Sequence, residues 1–479
     1  MPENTRYSRR INPEELAGQI EYSEKVRELL ALKYNHRPLA FVHTYGCQGN
    51  VSDSEHIKGM LAGMGYGFCG SVEEADLVLF NTCAVREHAE DRVIGNIGAL
   101  KQFKAQRPDA VVAVCGCMMQ QEHMALKVKN TFPFVNLIFG TNVAHELPEM
   151  LYTVLSQGKR VLRIPDGDGV IAEGIPSVRD SSFKAFIPIM YGCNNFCSYC
   201  IVPHVRGRER SRKMEDILAE ARDLIARGYR EITLLGQNVN SYGKDLSGKP
   251  MFAELLRQIN AIEGDFIIRF MTSHPRDCSR ELIDAIAECE KVSDHLHLPF
   301  QSGNDRVLKA MNRHYTREKY LDIVRYAKEK IPELSLTSDV IVGFPGETYE
   351  EFQDTLSLVE EVGYTSLFTF IFSPRVGTPA AEMEDPVTHR EKTVWFKELT
   401  DLQEKIAARR TAEMVGKTYR VLAENTARND ENVICGRTSG NIIIEFPAPK
   451  AVIGQFVNVT VTQARSWIVS GELAEQNNQ

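Results

Sequence analysis

The 479-residue chain lacks the sequence features of a membrane protein, a secreted protein or a repeat array. It has no uninterrupted apolar run of membrane-spanning length, and residues 1–6 lack the apolar stretch of a secretion signal. It has no internal repeat, and its net charge of −8 excludes a surface coated in positive charge. We therefore expect a cytoplasmic protein without a membrane partner, in which any nucleic-acid contact depends on local basic patches.

Cysteine, by contrast, is plentiful, with eleven in the chain. In a reducing compartment we expect metal ligands or buried thiols rather than disulfides. Cys193, Cys197 and Cys200 lie within eight residues, and no second Cys-x-x-Cys pair stands nearby, as a zinc ribbon would require. Three thiolates are one ligand short of the usual four-cysteine iron–sulfur site, so one iron stays open for chemistry. The spacing predicts a reactive iron–sulfur cluster, with a zinc knuckle or chance clustering as the alternative.

The length predicts roughly three domains, after a charged leader at 1–37. The first block, 38–160, alternates short apolar runs with amphipathic segments, which is typical of an open parallel α/β sheet. Each expected strand, at 40–44, 76–81 and 110–115, precedes a loop with one cysteine: Cys47, Cys83 and Cys117. Loops at the carboxyl ends of parallel strands gather at one edge of the sheet. We therefore predict a second three-cysteine cluster; the alternative is three unrelated buried thiols.

The second block, 180–410, alternates six strand-like runs with amphipathic helical segments. This order predicts a partly closed (β/α)6 barrel whose functional loops follow the strands. The loop 193–200 follows the first strand and therefore lies at the end of the barrel where the functional loops are expected. The expected strands are 185–190, 231–236, 267–273, 295–300, 335–343 and 366–373.

The third block, 413–474, consists of short β-rich runs separated by polar turns. The spacing predicts a small five-stranded β-barrel of the oligonucleotide-binding kind. Positive and negative side chains nearly cancel, so an RNA role requires the scattered cations, Lys417, Arg420, Arg437 and Arg465, to cluster. A packing module without RNA contacts is the alternative.

The motifs around the cysteines resemble those of the radical S-adenosylmethionine methylthiotransferases, and the C-terminal block is similar to the TRAM RNA-binding domain. The resemblance covers nearly the whole chain except the leader and the tail. It rests on the segments 46–50, 53–55, 81–87, 192–203, 206–212, 235–242, 298–303 and 342–348.

The resemblance implies two 4Fe-4S clusters, with S-adenosylmethionine as radical source and methyl donor. Cys193, Cys197 and Cys200 would hold the cluster that cleaves S-adenosylmethionine. Cys47, Cys83 and Cys117 would hold the auxiliary cluster that carries the sulfur. Because an aromatic C–H bond offers no acidic proton, we assign no catalytic acid–base pair.

Within the family, the start of the 46–50 motif and the full basic run from Arg206 to Arg212 look most like the tRNA enzymes that make 2-methylthio-isopentenyladenosine. Their substrate is isopentenyladenosine beside the anticodon, modified at carbon 2. Enzymes acting on threonylcarbamoyladenosine in tRNA, or on a ribosomal-protein aspartate, are the alternatives. Outside the family, we also consider another radical enzyme with two clusters, and a non-enzymatic iron–sulfur RNA-binding protein.

Position along the barrel strands predicts contacts to S-adenosylmethionine, with ordinary loop packing as the alternative. The contacts predicted in this way are Gly236, Gln237, Asn238, Gln301, Ser302, Gly303, Val342 and Gly343. The resemblance adds Tyr199, because the family has an aromatic residue just before the last cysteine. The partners implied are a tRNA anticodon stem-loop, an electron donor and a sulfur source, with the protein itself a monomer. Phosphate contacts are predicted from the basic side chains, for which a solvated charge run is the alternative: Arg206, Arg208, Arg210, Arg212, Lys213, Arg437 and Arg465.

Overall fold

The chain folds into two units. The computed structural model describes residues 10–84, 87–165 and 167–474, without the side chains of 87–89. The first unit holds the described residues up to Asp180 together with 190–194 and 201–212; the second holds 181–189, 195–200 and the described residues from Lys213 onward. Within these described ranges, no helix combines the length and apolar character needed to cross a bilayer.

The first unit is built on a six-stranded parallel sheet, as the sequence predicts for an open α/β domain. Its strands are β1 (Leu39–Thr44), β2 (Gly67–Phe68), β3 (Leu77–Thr82), β4 (Val111–Gly116), β5 (Leu137–Phe139) and β6 (Val161–Arg163). They lie in the order β2-β1-β3-β4-β5-β6. Every residue of β3 and β4 is buried, because helices cover both faces of the sheet and the strands therefore read as continuous apolar runs.

Five helices flank this sheet: α1 (Pro13–Lys33), α2 (Gln48–Gly63), α3 (Glu87–Gln106), α4 (Glu122–Thr131) and α5 (Leu147–Gln157). The leader, to which the sequence assigns no role, supplies α1. Asn12 caps α1 by accepting from the Glu15 N–H at 2.7 Å, and Pro13 occupies the first turn, where its missing N–H costs nothing. Val26 and Leu30 of α1 are buried in the core that covers one face of the sheet.

Between 184 and 211 the chain alternates between the two units. Strand β7 (Lys184–Pro188) belongs to the second unit. The antiparallel ribbon of β8 (Met190–Tyr191) and β9 (Arg210–Ser211), together with the short helix α6 (Val202–Arg206), belongs to the first. The first barrel strand, expected at 185–190, therefore ends at Pro188.

The second unit begins with six parallel strands, which confirms the predicted strand and helix alternation. After β7 come β10 (Glu231–Leu235), β11 (Ile267–Phe270), β12 (His295–His297), β13 (Ser335–Val342) and β14 (Ser366–Ile371). They form two three-stranded sheets, β11-β10-β7 and β12-β13-β14. The helices are α7 (Met214–Ala226), α8 (Lys244–Ser247), α9 (Phe252–Asn260), α10 (Arg280–Glu288), α11 (Asp305–Ala310), α12 (Arg317–Lys330), α13 (Tyr349–Val362) and α14 (His389–Ala412).

The C-terminal residues form the predicted five-stranded β-barrel, closed in the order β15-β16-β17-β19-β18 when numbered along the chain. The strands are β15 (Thr418–Ala427), β16 (Asp430–Thr438), β17 (Ile443–Pro447), β18 (Phe456–Ala464) and β19 (Val469–Leu473). Its core includes Val421, Ile434, Ile444, Phe446 and Val459.

A turn of the small barrel is anchored on the strands of the larger one. Arg269, which is 6% exposed on β11, donates to the backbone oxygens of Thr438 at 2.8 Å and Ser439 at 3.0 Å. The same guanidinium pairs with Glu231 on β10 at 2.7 Å. Burial raises the pKa of Glu231, but Arg269 and Lys184 hold it below its ordinary value. The carboxylate is therefore ionised at neutral pH, and the two barrels share a buried, charge-assisted junction.

Candidate functional site

The loops that carry Cys47, Cys83 and Cys117 follow β1, β3 and β4, three neighbours in the sheet of the first unit. The strand order reverses between β1 and β3, since the chain runs from β1 outward to β2 before returning to β3. In open α/β sheets, ligands bind outside the carboxyl ends of the strands at such a reversal. The topology therefore brings the three predicted auxiliary ligands to the edge where a ligand is expected.

Two glycines allow these loops to approach one another closely. Gly46 has a φ of +111°, and a Cβ placed there would lie 2.4 Å from the Cβ of Cys83. Gly116 has a φ of +99°, and its Cβ would lie 2.4 Å from the backbone oxygen of Thr82. Each glycine precedes a cysteine of the triplet. A side chain at either position would force the loops apart as well as strain the backbone.

The side chain of Asn50 connects all three cysteine loops. Its Oδ1 lies 3.7 Å from the Sγ of Cys47 and 3.7 Å from the Sγ of Cys117. Its Nδ2 donates to the backbone oxygens of Tyr45 at 2.9 Å and Thr82 at 3.0 Å. Tyr45 stands two residues before Cys47, and Thr82 stands immediately before Cys83. One fully buried amide therefore fixes the relative positions of the three loops.

Arg206 completes this group from a distant part of the sequence. Its Nε lies 3.2 Å from the Sγ of Cys117, and its Nη2 donates to Asn50 Oδ1 at 2.9 Å and to Asp53 Oδ2 at 2.7 Å. The residue is 8% exposed and also lines a pocket of about 90 Å³. A guanidinium with this geometry stabilises a thiolate, because it brings both a hydrogen bond and a positive charge.

The donor chemistry of this edge fits an iron–sulfur cluster with one open iron. Burial raises the pKa of the Cys117 thiol to about 12, and the Arg206 guanidinium opposes that shift. Among the residues described, no three His, Cys, Asp or Glu side chains are arranged to share a single metal ion. An iron–sulfur cluster does not require such an arrangement, because each thiolate binds a different iron. Cys47 is exposed at the N-terminus of α2.

The loop 193–200 is divided between the two units. Cys193, in the first unit, is 8% exposed, and its N–H donates to the backbone oxygen of Gly207 at 3.1 Å. Cys197 and Cys200 belong to the second unit. Their assignment to one cluster with Cys193 rests on the spacing of the motif.

In the second unit, the segment 310–313 holds the loop that contains Cys197. The N–H of Ser198 donates to Met311 O at 3.1 Å, and Asn312 Nδ2 donates to Phe196 O at 2.9 Å. Arg313 is 4% exposed, and its Nη1 lies 3.4 Å from the Sγ of Cys197. Each triplet therefore has one thiol beside a buried guanidinium.

Buried polar atoms without partners lie after β10 and β11, where S-adenosylmethionine contacts are predicted. Asn238 Nδ2 donates to Asp277 Oδ2 at 2.8 Å, but within the described part of the chain its Oδ1 lacks a hydrogen-bond partner. The same holds for Asn240 Oδ1, Ser273 Oγ and His274 Nε2. Buried polar groups are almost always paired, so these four atoms are available to a polar ligand.

The chemistry of these orphaned atoms suits an amino-acid group. Burial, with Arg313 and Arg276, holds the pKa of His274 far below its usual range, so its imidazole is neutral. The Nδ1 of His274 accepts from the Arg276 N–H at 3.2 Å, which leaves Nε2 as the N–H donor. The two asparagine oxygens are acceptors. An acceptor pair beside a free donor fits the amino and carboxylate groups of a methionine moiety.

The other predicted S-adenosylmethionine contacts have varied surroundings. Tyr199 is half-buried and its hydroxyl lies 3.4 Å from Arg313 Nη1. Gln301 has a φ of +68° and bonds β13 through its backbone. A Cβ at Gly303 would lie 2.5 Å from Asp354 O, so this glycine serves close packing. At the end of β10, Gly236 and Gln237 are half-buried. The strand β13 ends at Val342, and Gly343 follows it. For these four residues and for Ser302, contact with S-adenosylmethionine stays a prediction.

The basic run does not lie as one solvated face, because three of its five side chains are buried. Arg206 contacts Cys117, as described. Arg210 is 6% exposed and donates to the backbone oxygen of Arg208 at 2.8 Å. Arg212 forms a two-pronged ion pair with Glu173, at 2.7 and 2.9 Å. Arg208 and Lys213 are the exposed members on which a phosphate contact can be proposed.

In the small barrel, the two predicted RNA contacts also differ. Arg437 is partly buried, 3.4 Å from Glu424 Oε2 and 3.3 Å from Asn441 Oδ1. Glu424 in turn pairs with Lys184 of β7 at 2.9 Å. Arg437 thus belongs to the junction between the barrels, whereas Arg465 is exposed.

Sequence reasoning missed Asn50, Asp53 and Arg313 as site residues, and gave Arg206 a different role. Asn50 and Asp53 lie inside motifs that the sequence had singled out, so their closeness to Cys47 was an available signal. Arg313 has no such signal, because it stands 116 residues from Cys197.

Comparison with known proteins agrees with this architecture. Residues 187–359 match the Radical SAM superfamily, residues 40–140 match the Uncharacterized protein family UPF0004, and residues 412–474 match the TRAM domain. The solved structure of the radical S-adenosylmethionine methyltransferase TsrM from Kitasatospora setae is similar in fold, with a TM-score of 0.52 and 16% identity. The match covers 72% of this chain and 77% of that one.

Closer relatives match over nearly their full length. The tRNA-2-methylthio-N(6)-dimethylallyladenosine synthase of Acetivibrio thermocellus is 48% identical over 466 residues, which is 97% of each protein. The synthase of the same name from Clostridium perfringens is 51% identical, covering 92% of this chain and 98% of that protein. One from Alkaliphilus oremlandii is 47% identical, covering 97% and 98%. The chain therefore belongs to the family of tRNA-2-methylthio-N(6)-dimethylallyladenosine synthases.

Proposed function

We propose that the chain is a radical S-adenosylmethionine-dependent tRNA methylthiotransferase. It replaces the hydrogen at carbon 2 of isopentenyladenosine, beside the anticodon, with a methylthio group. The observation that carries the proposal is the second cysteine triplet, gathered at the sheet edge of the first unit by Asn50. A radical enzyme that only abstracts hydrogen has no need of a second site with an open iron.

Two triplets of cysteines hold the two 4Fe-4S clusters. Cys193, Cys197 and Cys200 hold one, and Cys47, Cys83 and Cys117 hold the other. When bound, the clusters and S-adenosylmethionine supply the radical, the sulfur and the methyl group. The acceptor and donor atoms of Asn238, His274 and their neighbours orient the amino-acid end of S-adenosylmethionine beside the loop that contains Cys197.

The side chains around these sites bind, orient and exclude water rather than move protons. His274 is held neutral by burial, so it donates a hydrogen bond without adding charge. Arg313 places a permanent positive charge beside Cys197. Because the reacting C–H bond is not acidic, no side chain is required as a base at carbon 2.

The RNA partner is the anticodon stem-loop of tRNA, and we assign its phosphates to Arg208, Lys213 and Arg465, which are exposed. We further propose that the protein acts as a cytoplasmic monomer, with a separate electron donor and sulfur source. The remaining strand-end residues predicted for S-adenosylmethionine, from Gly236 to Gly343, are part of the same proposal.

The test is the nucleoside content of tRNA from cells that lack the gene, measured by mass spectrometry. We expect the methylthio group to be lost while isopentenyladenosine accumulates, and expression of the wild-type chain to restore it. Unchanged 2-methylthio-isopentenyladenosine in the deletion strain would contradict the proposal. Loss of the methylthio group from threonylcarbamoyladenosine instead would assign the chain to a different substrate.

A further inference from the structure

We propose that Arg206 and Asn50 are positioning residues that set the reduction potential of the auxiliary cluster held by Cys47, Cys83 and Cys117. The inference rests on the proposed function in one respect, namely that this triplet holds an iron–sulfur cluster. It goes further by assigning roles to two side chains that are not ligands.

The geometry leaves Arg206 no ordinary surface role. Within the described residues, its guanidinium makes three hydrogen bonds, all to the cysteine site or to the residues that order it: Cys117 Sγ at 3.2 Å, Asn50 Oδ1 at 2.9 Å and Asp53 Oδ2 at 2.7 Å. Withdrawing a guanidinium from water is costly unless it is paired. One carboxylate and one amide oxygen offset part of that cost. The third partner is a thiol, which becomes negative when it binds iron.

Asn50 holds the Arg206 guanidinium in place. Its Oδ1 accepts from Arg206 Nη2 at 2.9 Å and lies 3.7 Å from the Sγ atoms of Cys47 and Cys117. Its Nδ2 donates to the backbone oxygens of Tyr45 and Thr82, in the loops that carry Cys47 and Cys83. The pair is therefore fixed beside the loops of all three cysteines.

The direction of the effect follows from charge. Reduction of a cluster adds one electron to a buried, already negative group. A fixed positive charge and an N–H bond to a ligand sulfur both favour the reduced form and so raise the potential. Arg206 supplies both at Cys117. Its removal should make the auxiliary cluster harder to reduce.

The experiment uses the full-length chain with Cys193, Cys197 and Cys200 replaced by alanine, so that only the auxiliary cluster is present. The midpoint potential is measured by redox titration monitored by electron paramagnetic resonance, with iron content recorded for each sample. We compare Arg206→Gln and Arg206→Lys with Lys127→Gln, which removes one exposed positive charge from α4 of the same unit.

We expect Arg206→Gln to shift the reduction equilibrium at least tenfold toward the oxidised form, about 59 mV for one electron. Arg206→Lys keeps the charge but loses the fork that reaches Cys117 and Asn50 together, so a smaller shift in the same direction is expected. Lys127→Gln should remain at the parent value. Asn50→Asp, which adds negative charge beside the same thiols, should also lower the potential.

Three outcomes decide the matter. A potential for Arg206→Gln equal to that of Lys127→Gln, at full iron content, would overturn the proposal. If Arg206→Gln fails to keep its cluster, Arg206→Lys decides: an unshifted potential at full iron content would likewise overturn it, and the expected shift would support it. Absence of a cluster from the parent with Arg206 intact would instead contradict the two-cluster function.

Discussion

At the scale of single residues, each cysteine triplet has one thiol beside a buried arginine. Arg206 lies 3.2 Å from Cys117 Sγ, and Arg313 lies 3.4 Å from Cys197 Sγ. Both guanidiniums also donate to a protein oxygen: Asn50 Oδ1 in one case and the backbone oxygen of Pro299 in the other. The triplets therefore share an electrostatic design, although they stand in different sequence contexts.

Glu347 provides a residue-scale prediction about pH. Its Oε2 accepts from the N–H groups of Gly343 at 2.7 Å and Phe344 at 3.2 Å, which closes the loop after β13. Burial raises the pKa of this carboxyl from 4.5 to about 7, against the opposing effect of those hydrogen bonds. A raised folded-state pKa gives stability that is full below the unfolded value and is lost as the pH rises toward about 7.

We therefore expect Glu347→Gln to stabilise the protein at pH 8 relative to the wild type, by roughly 3 kcal/mol, and to have little effect at pH 4.5. The amide keeps an acceptor oxygen for both N–H groups but cannot ionise. Thermal midpoints measured between pH 4.5 and pH 8 test this, with the exposed Glu350→Gln as the control. A difference between Glu347→Gln and the wild type that does not change with pH would contradict it.

Candidate ligands could be proposed from the sequence, but their surroundings could not be predicted. Cysteine is chemically distinctive, and its spacing in this chain is short or follows a strand. Arg206 and Asn50 meet across 156 positions, and nothing local to either residue specifies that contact. The basic run was interpreted from charge alone, which does not reveal which side chains point inward.

At the scale of elements, the sequence predicted where the strands lie better than it predicted how the strands pair. The buried strands β3 and β4 read as apolar runs, so the three cysteine loops could be placed at one edge. The order β2-β1-β3 and the break between the two barrel sheets depend on contacts between distant segments. Strand β16 has a weak sequence signal, because its first residues, Asp430 to Asn432, are exposed and polar.

The junction between the barrels yields an element-scale prediction that separates Arg465 from Arg437. Arg465→Gln should weaken tRNA binding and reduce the slope of log K against log salt by about one, as expected for one lost phosphate contact. Arg437→Gln should leave that slope unchanged, because this side chain is engaged with Glu424 and Asn441. Binding titrations over a range of salt concentrations measure both.

The control for this comparison is Arg227→Gln, which removes an exposed arginine immediately after α7. Equal salt slopes for all three variants would show that Arg465 makes no phosphate contact. A reduced slope for Arg437→Gln would show that Arg437 leaves its junction partners to bind RNA. Substitution is preferable to deleting the small barrel, since deletion would strip Arg269 of its acceptors at Thr438 and Ser439.

At the scale of the whole molecule, the two cysteine triplets are distributed differently between the two units. Cys47, Cys83 and Cys117 all belong to the first unit, whereas the loop 193–200 contributes Cys193 to the first unit and Cys197 and Cys200 to the second. The succession of fold types, from an open parallel sheet through alternating strands and helices to a small β-barrel, could be predicted from the sequence because each block has its own periodicity. The exchange of short segments between units could not, since it involves only a few residues at a time.

The most direct test of the account is product analysis with purified Cys47→Ala, which removes one auxiliary ligand and leaves the loop 193–200 intact. After cluster reconstitution, the protein is given S-adenosylmethionine, a strong reductant and tRNA that contains isopentenyladenosine; Cys69→Ala, which removes a half-buried thiol outside both triplets, is the control. We predict that Cys47→Ala still forms 5′-deoxyadenosine but adds no methylthio group, while Cys69→Ala does both. Retained methylthiolation by Cys47→Ala would contradict the division of labour between the two triplets.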